Sequence, residues 1–305
     1  MNTDNTLLKG IFAPIPTPFD TAGDIDWGAL KDNVDWWCTT KLSGLVALGS
    51  NGEAGYLDVQ ERARLIAAVV EYSADRKPVI AGIGQESTRA TIALARASAE
   101  VGAIAALVLP PHFYKATMTG PTLRDHYRAV ADASPIPVIL YNMPGNTGVN
   151  LGIDTPVQLS SHPNIVGMKD SSGDIVQISE IIAGATPGFA VFAGSGSYLL
   201  PTLMMGGVGA TAALANVMPN ECAAIVELFA AGRLEDARRV QQALLEVNRA
   251  VTSRFNVPGV KAALDLIGHY GGPPRMPMHT LDQANTAILK DILQRARAAC
   301  AQVLG

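Results

Sequence analysis

Between residues 10 and 211, eight short runs rich in Val, Ile, Leu and Ala alternate with stretches whose apolar residues recur at helical spacing. The runs cover 10–16, 44–48, 78–82, 105–109, 137–142, 165–169, 190–193 and 207–211. Short apolar runs without polar alternation fit strands buried on both faces, the condition of a parallel sheet. Strands that alternate with helices form parallel βαβ units, and eight of them predict a closed (β/α)8 TIM barrel. Several helix ends are also legible. Asp26 can cap a helix whose Trp27, Leu30, Val34 and Trp37 share one face, and Asp58 with Glu61 has capping-box spacing. Ser87 starts another helix, which Gly102 can stop. Pro121, Pro156 and Pro219 each suit a first helical position.

After Gly232 the strand pattern ends. Helices are predicted over 233–255, 259–267 and 282–304, separated by Asn256-Val257-Pro258 and by the loop Gly271-Gly272-Pro273-Pro274. Leu244, Val247 and Val251 share a face that needs a surface to pack on. The expected organisation is therefore a barrel over 1–232 and a C-terminal helical region over 233–305 docked on it.

A chain of 305 residues, 48% of them hydrophobic, can bury a large core without a disulfide or metal staple. Its formal charge of −4 provides no basic field for nucleic acid. The most apolar stretch, 198–217, is broken by Pro201, Gly206, Gly207 and Gly209, which favours a helix, a turn and a buried strand over a membrane span. Residues 1–10 are polar and show no secretory pattern. Cys38, Cys222 and Cys300 are odd in number and widely spaced, which points to free thiols in a reducing cytoplasm and to no zinc site.

Barrel enzymes carry their reacting groups at the C-terminal ends of the strands. The sixth run ends abruptly at Lys169, which is followed by the turn Asp170-Ser171-Ser172-Gly173. A dry environment behind that lysine disfavours the ammonium form and makes the amine a usable nucleophile. Taken alone, the same lysine could snorkel to solvent. The second run leads into Gly49-Ser50-Asn51-Gly52-Glu53, whose amides, hydroxyl and side-chain amide suit a carboxylate, although Ser-Asn-Gly is also ordinary turn chemistry. Glu53 is expected to cap nearby helix-start amides rather than act as a general acid. Tyr141 ends the fifth run. Alone it would close the top of the core; beside a lysine iminium, its phenol can relay a proton. His112, His126, His162, His269 and His279 show no metal-binding spacing, and no serine-hydrolase elbow occurs.

The segments GSNGE, YNMPGNTG, KDSSGD, AGSG and ALANV, in this order, resemble the dihydrodipicolinate synthase/N-acetylneuraminate lyase superfamily over nearly the whole chain. The resemblance implies a (β/α)8 barrel with a C-terminal helical extension, a homotetramer, and Schiff-base chemistry with no metal or organic cofactor. It implies Lys169 as the Schiff-base lysine, Tyr141 as the proton relay, and Ser50 and Asn51 as the pair holding the α-keto acid carboxylate. Tyr114 is implied as the residue presented to a neighbouring subunit's site. Gly194 and Thr211 fall where members line the pyruvyl pocket.

One departure is informative. Where dihydrodipicolinate synthases place an arginine for the second substrate's carboxylate, this chain has Asn146. A neutral amide cannot replace a bidentate guanidinium clamp. The loop, together with the HPNIVGMKD segment and Tyr270-Gly271-Gly272-Pro273, is similar to the 4-hydroxy-2-oxoglutarate aldolase branch. The expected activity is reversible cleavage of a 4-hydroxy-2-oxo acid, first 4-hydroxy-2-oxoglutarate, to pyruvate and an aldehyde such as glyoxylate. Three alternatives remain open: aldol cleavage or dehydration of a 2-keto-3-deoxy sugar acid, a dihydrodipicolinate synthase-like condensation, and a non-catalytic oxo-acid-binding regulator.

Overall fold

The computed structural model describes residues 8–305, so the expectation for the polar N-terminus, in so far as it concerns residues 1–7, lies outside the described residues. Eight parallel strands close into one barrel in sequence order. They are β1 (Gly10–Pro14), β2 (Gly44–Ala47), β3 (Val79–Gly82), β4 (Ala105–Val108), β5 (Val138–Asn142), β6 (Ile165–Asp170), β7 (Ala190–Ala193) and β8 (Gly209–Thr211). All eight expected runs are strands, shifted by no more than two residues at either end. The seam closes through the pair Gly10 and Gly209. A Cβ on Gly209 would lie 1.9 Å from the Gly10 carbonyl oxygen, so the approach requires glycine.

Alternate strand residues divide between two cores. Phe12, Val46, Ile80, Leu107, Ile139 and Phe192 fill the barrel interior, where Phe12 and Phe192 meet edge to face at 5.7 Å. The other strand residues, such as Leu45, Ala81 and Val108, face the outer helices and join Trp37, Leu65 and Leu123. A bulge in β6 breaks the alternation where it matters. Val138 pairs with Ile165 and Ile139 with Gly167, which leaves Val166 unmatched. Ile165 packs toward the helices. Strict alternation from there would send Lys169 outward, whereas the extra residue places it opposite Tyr141, in the interior set.

The outer helices begin and end largely as expected. In α1 (Trp27–Thr39) Asp26 accepts from the Ala29 amide, and α2 (Val59–Ser73) carries the full Asp58/Glu61 capping box. Ser87 caps α3 (Thr88–Glu100), beyond which Gly102 takes a left-handed φ of 93°. Pro219 opens α9 (Pro219–Ala230). Two proline assignments need correction: Pro121 is the second residue of α4 (Gly120–Ala133) and Pro156 the third of α6 (Asp154–Leu159). Both still lie in a first turn, whose amides have no intrahelical acceptor to lose. Short α5 (Pro144–Thr147) follows β5, and α7 (Ile175–Gly184) and α8 (Leu199–Met204) flank β7.

Past residue 232 come α10 (Leu234–Arg249), a π-helical turn (Ala250–Arg254), α11 (Asn256–Leu266) and α12 (Gln283–Leu304). Asn256-Val257-Pro258 does not separate helices, as the sequence suggested; it is the first turn of α11, where a proline needs no amide partner. The break falls one residue earlier, and Asn256 absorbs it with a left-handed φ of 51°. Leu244, Val247 and Val251 are fully buried. Among the described residues, no helix is long and apolar enough to cross a membrane, and the three cysteines are free.

Candidate active site

At the C-terminal end of the barrel the strands and the end of α10 enclose a pocket of about 860 Å³. Lys169 and Tyr141 lie side by side on its floor, paired in register on β6 and β5. The Lys169 Nζ sits 4.1 Å from the centroid of the Tyr141 ring, and the residue is only 2% exposed. The ring face thus offers its electron-rich quadrupole to whatever cation forms on that nitrogen. The Tyr141 hydroxyl is 3.2 Å from the Ser50 Oγ and contacts the Met143 Sδ at 2.8 Å.

Ser50 and Asn51 occupy a short 3-10 turn, Ser50–Gly52, that leaves β2. Thr17 holds this turn by donating its hydroxyl to the Gly52 carbonyl at 2.6 Å. The Asn51 Nδ2 is buried and has no hydrogen-bond partner among the described residues; the same is true of the Ser171 Oγ. Both residues line the pocket. A buried donor left unsatisfied is costly, so each of these two side chains carries a local penalty beside the pocket.

Behind Lys169, Asp170 points the other way, into a buried polar network. Its carboxylate accepts from Asn142 Nδ2 (2.8 Å), Gln177 Nε2 (3.1 Å) and the Ser172 amide (2.8 Å), and from the Ser172 hydroxyl. The Asp170 carbonyl accepts from the Tyr198 hydroxyl at 3.0 Å. These bonds pin the end of β6 on its outer face, and with it the residue before Asp170.

Glu53 departs from its expected role. It caps no helix. Its side chain is fully buried, with Oε1 2.7 Å from Lys261 Nζ and Oε2 accepting the Arg275 amide at 2.8 Å. Burial raises the Glu53 carboxyl above its ordinary value despite the attraction of Lys261, and burial lowers the Lys261 amine in turn. The pair therefore ties the residue that follows the Ser50–Gly52 turn to α11.

The other expected residues are distributed unevenly. Asn146 and Gly194 border the pocket. A Cβ on Gly194 would fall 2.0 Å from the Ser171 Oγ, so this position admits no side chain while Ser171 stays in place. Thr211 is buried at the end of β8, outside the lining. Tyr114 is 72% exposed, stacked edge to face on Phe113 at 5.0 Å, and the fold does not bring it to Lys169 within one chain. Sequence reasoning missed Ser171, which was visible in the motif after Lys169 but looked like turn chemistry. It also missed Asn248 and Arg249, since nothing local shows that α10 ends over the pocket. Among the described residues, no cluster of His, Cys, Asp and Glu has the geometry of a metal site.

A family model described as the dihydrodipicolinate synthetase family matches residues 7–296. A curated relative from Emericella nidulans, named a probable mitochondrial 4-hydroxy-2-oxoglutarate aldolase, is 39% identical over 93% of this chain and 94% of its own length. A 4-hydroxy-tetrahydrodipicolinate synthase from Geobacter sp. strain M21 is 38% identical over 94% of this chain and 98% of its own. Among solved structures, the dihydrodipicolinate synthase of Acinetobacter baumannii complexed with pyruvate superposes with a TM-score of 0.89 at 31% identity, covering 95% of this chain and 99% of that one.

Proposed function

The chain belongs to the dihydrodipicolinate synthetase family, and on that premise we propose that it is a class I aldolase cleaving 4-hydroxy-2-oxoglutarate reversibly to pyruvate and glyoxylate. The carrying observation is the contact set Lys169, Tyr141 and Ser50 on the floor of one pocket. A simple oxo-acid-binding protein has no use for a buried amine against a phenol. Asn146 in place of an arginine argues against a dihydrodipicolinate synthase-like clamp on a second substrate's carboxylate at that point of the rim.

In this reading the Lys169 amine adds to the C2 ketone, and with one proton taken from solvent the carbinolamine loses water to form an iminium. Asn51 Nδ2 and Ser171 Oγ donate to the substrate's oxygens as it docks. The C4 hydroxyl proton passes to Tyr141, which hands its own to Ser50 and on to solvent. The C3–C4 electron pair moves between C3 and C2 and neutralises the iminium, and glyoxylate leaves. Protonation of the resulting enamine at C3 and return of the water at C2 release pyruvate and the free amine. A positioned proton relay of this kind contributes roughly a hundred- to ten-thousandfold in rate.

A second reading, action on a longer 2-keto-3-deoxy sugar acid, draws on the pocket volume and on the hydroxyls of Thr252 and Ser253 at its mouth. The same account takes 1–232 as the catalytic barrel, with 233–305 completing its mouth. It also takes a homotetramer as the assembly in which Tyr114 reaches a neighbour's site, and the cytoplasm as the location that suits three free thiols. Incubation with 4-hydroxy-2-oxoglutarate and chromatography of the products tests the reaction. Pyruvate and glyoxylate in equal amounts are expected; a dioxo acid, or turnover only of sugar acids, would overturn it.

A further inference from the structure

Among the described residues, three charged ones line the pocket: Lys169, Glu246 and Arg249. Their partners differ. Glu246 and Arg249 are three apart on α10, a spacing at which opposite charges can pair. Glu246 is instead engaged by Arg295, whose Nη1 lies 2.9 Å from its Oε2. Arg249 has neither an ion pair nor a side-chain hydrogen bond among the described residues. With Lys169 committed to the floor, Arg249 is the unpaired cation at the mouth.

Its backbone is held firmly even though its side chain is exposed. The neighbouring Asn248 accepts the Gly196 amide at 3.1 Å and donates to the hydroxyls of Ser195 (2.9 Å) and Ser197 (2.6 Å). These bonds fasten the end of α10 to the loop that leaves β7. An arginine in a last helical turn commonly complements free carbonyls. That need is reduced here, because the chain runs on through the π-helical turn Ala250–Arg254.

We propose that Arg249 is a specificity-determining residue that binds the distal carboxylate of a dicarboxylic 2-oxo acid whose ketone faces Lys169. The inference rests on the pyruvyl chemistry proposed above and names the class of its second half. A guanidinium matches a carboxylate with two parallel hydrogen bonds, whereas a neutral aldehyde tail leaves it nothing comparable to hold.

The test is calorimetric titration of the full-length protein with 2-oxoglutarate and with 2-oxopentanoate, which share five carbons and differ in the distal carboxylate. Wild type should prefer 2-oxoglutarate. Arg249→Gln should weaken that acid roughly ten- to hundredfold while changing 2-oxopentanoate less than twofold, and Arg249→Lys should retain part of the preference. Absence of a wild-type preference for 2-oxoglutarate, or equal losses for both acids, would overturn the assignment. Borohydride trapping of pyruvate is run in parallel. Trapping on Lys169 without a selective loss in Arg249→Gln would sink the distal site and leave the aldolase standing; failure to trap pyruvate in wild type would sink the aldolase itself.

Discussion

Lys169 Nζ lies 4.1 Å over the ring of Tyr141, and the two residues meet because β6 carries one unmatched residue, Val166, three positions before the lysine. The bulge turns the amine inward, and the Asp170 network holds the outward face. In the proposed mechanism Tyr141 serves proton transfer rather than attachment of the substrate. Tyr141→Phe should lower kcat by about a hundred- to ten-thousandfold yet still allow pyruvate to be trapped on Lys169. Steady-state kinetics alongside trapping checks it, and unchanged kcat would remove Tyr141 from the relay.

The Glu53–Lys261 pair predicts a stability pattern. Lys261→Met strands a buried carboxylate and should cost about 3–5 kcal/mol in chemical denaturation. Glu53→Gln combined with Lys261→Met removes both charges and should recover much of that loss. A double variant no more stable than Lys261→Met would show that the pair is not a coupled unit.

His126 predicts an acid-sensitive stability. Burial pushes its imidazole from the ordinary 6.5 down to about 4, and its Nε2 is buried without a partner among the described residues. Between those values the unfolded chain binds a proton that the folded one refuses, so stability rises with pH across that window. Above it both states are neutral and the residue contributes no slope. The full effect is on the order of 3 kcal/mol. In urea titrations between pH 4 and 6.5, His126→Leu should give a flatter stability profile than wild type. Parallel profiles would contradict the assignment.

The barrel was legible because buried parallel strands leave a strong signature: all eight apolar runs became strands, and the caps at Asp26, Asp58 and Ser87 formed as expected. Lys169, Tyr141, Ser50 and Asn51 could be singled out because strand ends in such a barrel converge. What stayed hidden depends on distance in sequence. Glu53 finds Lys261 only in the fold, so its carboxylate looked like a local cap. The bulge at Val166 leaves no compositional trace, although it decides which way the lysine faces. Arg249 reaches the mouth through contacts between α10 and the loop after β7, which no local pattern announces.

The central claim is that Lys169 forms an imine with pyruvate. Borohydride reduction in the presence of pyruvate, read by intact mass and peptide mapping, tests it with Lys169→Ala as the control. The account predicts one pyruvyl adduct per chain, mapped to Lys169 and absent from the variant. A folded wild-type protein that acquires no adduct, or one that carries it on another lysine, would contradict it.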